Sequence, residues 1–200
     1  MNDDEHDAQP RVIVLAGVSG SGKTSVGLAL AKALGGTFVD ADDYHPKENV
    51  AKMAAGVALN DSDRKPWLLK LAGIIAQKLK SNNERLVMAC SALKKSYRDT
   101  LRGGHEGKEQ GKGCQKLKII LLDGDQELIQ KRLADRKDHF FDPKLLKSQF
   151  DTLEMPQPSE PVDIVSIKLS RDEIVRSILE LIREKQRSSG DQGNSSSKRM

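Results

Sequence analysis

The residues Gly17-Val18-Ser19-Gly20-Ser21-Gly22-Lys23-Thr24 have the spacing G-x-x-x-x-G-K-[ST], which curls backbone N–H groups around a phosphate. In this pattern Lys23 reaches the β- and γ-phosphates, the Thr24 hydroxyl can ligate Mg²⁺, and Ser25 continues the phosphate-binding stretch into the next helix. A second set follows shortly after. Asp40 and Asp42 are alternate residues at the end of the Thr37–Asp40 run, where an open α/β sheet places its ligand crevice. Asp40 is assigned to Mg²⁺ through water, and Asp42 to a substrate hydroxyl as base or orienting acceptor. Turn capping, which Asp favours, is the alternative for both. Arg132 and Arg136 stand one helical turn apart and can share a face toward ATP. Together these groups have the parts that phosphoryl transfer needs.

These side chains need a scaffold to converge. The apolar run Val12–Ala16 predicts a buried strand before the loop, and Val26, Leu28, Ala29, Leu30, Ala33 and Leu34 predict a half-buried helix after it. Further strands are predicted at 37–40, 86–90, 117–122 and 162–167, each separated by helical patterns. Pro46 starts a short helix. Trp67, Leu68, Leu71, Ile74, Ile75 and Leu79 mark a long one, with Asp61 or Ser62 as its N-cap. The final helix is expected from about Ser170 to Lys185. The fold class is therefore α/β, a five-stranded parallel sheet flanked by helices with right-handed crossovers. A small lid is expected at 137–142 and a Gly/Lys-rich loop insertion at 103–116. One domain spans 11–187, between disordered ends at 1–10 and 188–200.

Composition narrows the function. No apolar run approaches the ~20 residues of a membrane helix, and the acidic start resembles neither a secretory signal nor a transit peptide, so a cytoplasmic location is expected. Cys90 and Cys114 are too few for a disulfide framework. Of the net charge of +4, three charges fall after Ile182, and aromatics make up 4% of the chain, so nucleic acid is not expected as a partner. The chain has no Asn-Lys-x-Asp guanine signature and no Asp-x-x-Gly switch after a third strand, which argues against a GTPase.

The phosphate loop, Asp40-Ala41-Asp42-Asp43-Tyr44-His45-Pro46, the blocks Leu59–Leu68 and Cys90–Asp99, and His139-Phe140-Phe141 together resemble the gluconokinase family, in the family's order, over about residues 11–182. The resemblance implies a P-loop kinase fold related to shikimate kinase and the nucleoside monophosphate kinases. It further implies ATP and Mg²⁺ as cofactors, D-gluconate as substrate, 6-phosphogluconate as product feeding the pentose phosphate pathway, and a homodimer. A polyhydroxylated carboxylate needs acceptors and at least one cation. His45, Arg64, Lys94 and Arg98 are the substrate candidates, Arg98 first for the carboxylate because of its bidentate fork and Arg64 second. For His45 a role at the start of the following helix is the alternative, and for Lys94 a solvated helix charge. By similarity with related kinases, Arg136 approaches the transferring phosphoryl when the lid closes and Arg132 lies against adenine. Lys23, Asp42 and Arg136 are thus the catalytic set. Gln149 and Glu154, in a family-like Gln-x-x-x-Leu-Glu-x-Pro stretch, receive no role. A kinase for another small hydroxy acid such as shikimate, or a nonenzymatic ATP-binding regulator, are the alternatives.

Overall fold

The computed structural model describes residues 9–81, 84–103, 116–135 and 143–190. Five parallel strands, β1 (Val12–Ala16), β2 (Thr37–Asp40), β3 (Leu86–Ala89), β4 (Leu117–Asp123) and β5 (Val162–Ser166), form one sheet in the order β2-β3-β1-β4-β5. Helices α1 (Lys23–Leu34), α2 (Lys47–Ala54), α3 (Asp61–Lys80), α4 (Lys95–Leu101), α5 (Gln126–Ala134), α6 (Pro143–Thr152) and α7 (Arg171–Gly190) fill the connections. The expected parallel α/β architecture is what the chain adopts.

Both faces of the sheet are covered, so β1 and β3 are apolar throughout rather than alternating. Every residue of β1 has no exposed surface. Val12, Val14 and Met88 pack on one side with Trp67, Leu71 and Ile75 of α3. Ile13, Leu15 and Val87 pack on the other with Val26 and Leu30 of α1 and Ile174, Ile178 and Ile182 of α7. Alternate residues of one strand therefore serve two cores. Helix α1 approaches β2 so closely that a Cβ on Gly27 would lie 2.4 Å from the Phe38 ring. Strand β1 is central, with β3 on one side and β4 on the other, and the loops leaving the carboxyl ends of β1, β2 and β3 open onto one crevice.

Two sequence expectations shift. The N-cap of α3 is Asn60, not Asp61 or Ser62: its side chain accepts from the Asp63 N–H while the Asp63 carboxylate accepts from the Asn60 N–H. The last helix continues through Gly190, so residues 188–190 of the expected tail are helical, since Glu184-Lys185-Gln186-Arg187 contains only good helix formers. The expected lid at 137–142, the interior of the 103–116 insertion, the ends 1–8 and 191–200, and Arg136 lie outside the described residues.

Candidate active site

The phosphate loop is built on conformations that side chains resist. Gly17 has φ 139°, Gly20 82° and Gly22 94°. At Gly17 a Cβ would lie 2.8 Å from both the Leu122 carbonyl and the Ser21 hydroxyl, so this turn excludes any side chain. The Gly17 N–H donates to the Ser91 carbonyl, tying the loop to the end of β3. Val18 and Ser21 are buried, Val18 packing into the core beneath the loop. Lys23 arches back over it, its ammonium 2.9 Å from the carbonyls of Gly17 and Val18. No side chain caps α1 and its first turn holds no acid, which leaves a helix N-terminus suited to an anion. Thr24 and Ser25 are exposed on that turn.

The Thr24 hydroxyl donates to Asp40 Oδ2 at 3.1 Å, and Asp40 Oδ1 accepts from the Asp42 N–H at 3.2 Å. Asp40 thus caps its turn and also sets a carboxylate beside a hydroxyl at the loop. Two hard oxygens of this kind fit Mg²⁺, which takes one or two protein oxygens and completes its shell with phosphates and water. Among the described residues no group of three or more His, Cys, Asp or Glu could hold a metal, and a site of this design needs none.

Beside the loop opens a cleft of about 590 Å³ whose walls include Lys23, Asp42, His45, Arg64, Trp67 and Gln149. The Asp42 side chain is 75% exposed and lines this cleft. Crowding by protein there, then the negative charge of Asp40, push its pKa above the usual value, with Lys23 opposing. His45 stacks on Trp67, ring centroids 4.1 Å apart and planes 14° from parallel. The indole N–H donates to the Ala41 carbonyl at 2.8 Å, so the platform under the imidazole is fixed. Burial, then the charge of Arg64, lowers the His45 pKa to about 4, and the ring is neutral at physiological pH. Arg64 donates to the Leu59 carbonyl and the Tyr97 hydroxyl, and its guanidinium lies 5.7 Å from the centre of the Tyr97 ring. It also borders a second recess of about 480 Å³ that includes Asp61 and Lys94.

The shikimate kinase family model matches residues 19–183 of the chain. The chain is 45% identical over 183 residues to the probable gluconokinase of Rattus norvegicus, covering 87% of this chain and 98% of that protein. It is 41% identical over 185 residues to the thermoresistant gluconokinase of Escherichia coli (strain K12), covering 92% and 99%. A crystal structure of a gluconokinase from Sinorhizobium meliloti 1021 superposes with a TM-score of 0.77 at 38% identity, over 92% of this chain and 98% of that one. The chain belongs to the gluconokinase family.

For a gluconokinase-family site, the structure brings some of the expected residues together and separates others. Lys23, Asp42, His45 and Arg64 share the cleft. Lys94 does not. It faces the second recess, paired with Asp61 at 2.8 and 2.9 Å. Arg132 donates to the Ile167 carbonyl at 2.6 Å, which sets it against the turn after β5.

Arg98 is a correction. Its side chain has no exposed surface and is forked onto Glu160, Nε to Oε1 at 2.6 Å and Nη2 to Oε2 at 2.9 Å. Its Nη1 donates to the carbonyls of Ala92, Leu93 and Glu154. The bidentate geometry expected for a substrate carboxylate is present, but an internal carboxylate occupies it. Arg98 holds the Ala92 turn, where φ is +41° in a non-glycine residue, and so the link between Ser91 and the loop.

Gln149 and Glu154, which had no role from sequence, become legible. The Gln149 amide oxygen accepts from the Ser19 N–H at 2.6 Å and its amide nitrogen donates to the Ser19 hydroxyl at 3.0 Å, clasping α6 to the phosphate loop. Glu154 accepts from the Lys95 N–H at the start of α4. Sequence reasoning passed over Asn49, 4% exposed behind His45, and Glu160. The four-residue step from His45 pointed to Asn49, whereas nothing local marks Glu160, 62 residues from Arg98.

Proposed function

We propose that this chain transfers the γ-phosphoryl group of ATP to the terminal hydroxyl of D-gluconate, giving ADP and 6-phosphogluconate. One observation carries the reading beyond family membership: the loop lysine, an acceptor carboxylate and a guanidinium, Lys23, Asp42 and Arg64, line a single cleft. The substrate hydroxyl attacks the γ-phosphorus, the bond to the β,γ-bridging oxygen breaks, and Asp42 takes the hydroxyl proton. Lys23, swung from the loop carbonyls onto the phosphates, offsets their charge. Arg64 takes the gluconate carboxylate, and His45 donates to a substrate oxygen. Thr24 and Asp40 would hold Mg²⁺, which when bound neutralises the β- and γ-phosphates. Arg132 lies along the adenine site, and Arg136 completes the catalytic set.

Location and assembly complete the proposal: a cytoplasmic homodimer acting on a small molecule, without nucleic acid or membrane as partner. No helix among the described residues is long and apolar enough to cross a membrane. Sedimentation of the purified chain tests the dimer. The reaction is tested by coupled ADP release with gluconate, its isomers, shikimate and nucleoside monophosphates. Turnover of gluconate in the presence of ATP and Mg²⁺ is expected. Turnover of shikimate with none of gluconate overturns the assignment.

A further inference from the structure

His45 lines the cleft, and its ring has two nitrogens whose roles the buried Asn49 settles. The Asn49 side-chain nitrogen lies 2.8 Å from the Asp63 carbonyl oxygen, which can only accept, so that atom is the amide NH₂ and not the amide oxygen. The same nitrogen lies 3.3 Å from His45 Nδ1. A donor-only group there requires Nδ1 to be the acceptor, so in the neutral ring the proton sits on Nε2. Nε2 is 3.8 Å from Asp42 Oδ1, too far for a direct hydrogen bond. A donor and an acceptor thus stand side by side in the cleft, spaced to be bridged by a substrate oxygen.

We infer that Asn49 is a positioning residue that locks His45 as the Nε2–H tautomer, so that the cleft presents a neutral donor beside the Asp42 acceptor. A hydroxyl between them gives its hydrogen to Asp42 and receives one from His45, a demand a polyol meets and an alkyl group cannot. Neutrality matters too. An imidazolium would pair with Asp42 and make it a poorer proton acceptor, and the positive charge of Arg64 already opposes a second proton. The groups that enforce the arrangement come from separate elements: Trp67 of α3 stacks on the ring, Asn49 of α2 donates to it, and the Asp63 carbonyl of α3 holds the Asn49 amide.

The inference rests on the proposed reaction for its substrate, but its first test does not. Two-bond ¹H–¹⁵N spectra of the uniformly labelled protein at neutral pH, with the His45 signals assigned by their loss in His45→Gln, should show a protonated Nε2 and a bare Nδ1. A bare Nε2, or a doubly protonated ring, overturns the inference. Asn49→Asp replaces the donor with an acceptor and should move the proton to Nδ1. Asn49→Ala removes the donor and should raise the gluconate KM about 3- to 10-fold while the ATP KM stays within twofold, the size of one neutral hydrogen bond. An unchanged tautomer in a folded Asn49→Asp protein, or an unchanged gluconate KM in folded Asn49→Ala, also overturns it. If wild type turns over a different acceptor, the proposed function fails while the spectra still decide the tautomer.

Discussion

Replacing Arg98 with alanine separates two roles that the residue type alone leaves open. In the structure the Arg98 and Glu160 side chains are 0% and 2% exposed, and the guanidinium makes two short bonds to the carboxylate and donates to three carbonyls. Removing one partner of such a pair leaves a buried charge and costs about 3–5 kcal/mol. Arg102, 3.5 Å from Glu160 Oε1, retains part of the compensation, which favours the lower end, about 3 kcal/mol. For a chain of this size that is a fall in Tm of roughly 6–12 °C, read by thermal or urea unfolding. A double variant, Arg98→Met with Glu160→Leu, should recover only part of the loss, because the carbonyls of Ala92, Leu93 and Glu154 still lack a donor. The pair also has a pH signature. Hydrogen bonding to Arg98 holds the Glu160 pKa below its usual 4.5, so the stabilisation is complete above that value and is lost as pH falls through the lower folded-state value. In Arg98→Ala that part of the acid sensitivity should vanish. A Tm within about 2 °C of wild type together with a tenfold rise in gluconate KM would refute the structural role and return Arg98 to the substrate.

Arg64→Ala should raise the gluconate KM about 10- to 100-fold with the ATP KM little changed, the scale of a charge-assisted hydrogen bond, in steady-state kinetics. Asp42→Asn should lower kcat at least ~100-fold without loss of Tm, since its side chain faces the cleft rather than the core. His45, with its pKa depressed from 6.5 to about 4, withholds a proton that the unfolded chain accepts. Wild-type stability should therefore fall by up to ~3 kcal/mol between pH 6.5 and 4, and His45→Gln should flatten that window in urea melts. Cys90 is buried and its thiol is pushed up to about 12, chiefly by burial, so peptide mapping should find it unalkylated until the protein unfolds.

What the sequence shows and what it hides follow from the range of the interactions. The strand, loop and helix around Gly17–Thr24 were readable because backbone geometry, glycine placement and apolar periodicity all act within a dozen residues. Asp40 and Asp42 were readable for the same reason, as alternate residues at a strand end. The Asn60 cap was missed because three consecutive residues, Asn60, Asp61 and Ser62, could each cap the helix, and only the reciprocal bonds with Asp63 choose among them. Gln149 and Glu160 were silent because their partners, Ser19 and Arg98, lie 130 and 62 residues away. A polar residue's partner at that distance is set by the packing of the sheet, which the periodicity of a single segment does not encode.

The same logic sorts the cations. Arg98, Arg64 and Lys94 are all sequence candidates for the substrate, Arg98 first and Arg64 second for the carboxylate by the shape of the guanidinium, yet the solvent each has lost orders them differently. A guanidinium with no exposed surface must carry its counter-charge inside the protein, and Glu160 supplies it. Lys94 is half-committed, its charge met by Asp61 at the edge of the second recess. Arg64 donates to neutral oxygens, the Leu59 carbonyl and the Tyr97 hydroxyl, and the carboxylates of Asp61 and Asp63 lie near enough to feel its charge. A guanidinium whose hydrogen bonds go to neutral oxygens, and which lines the same cleft as Asp42 and Lys23, is the best placed of the three for an incoming anion. By that criterion we propose Arg64 as the ligand of the carboxylate. The Lys94–Asp61 pair also bears on Arg64: Asp61 feels the Arg64 charge and accepts from the Tyr97 hydroxyl, fixing the ring beside the guanidinium.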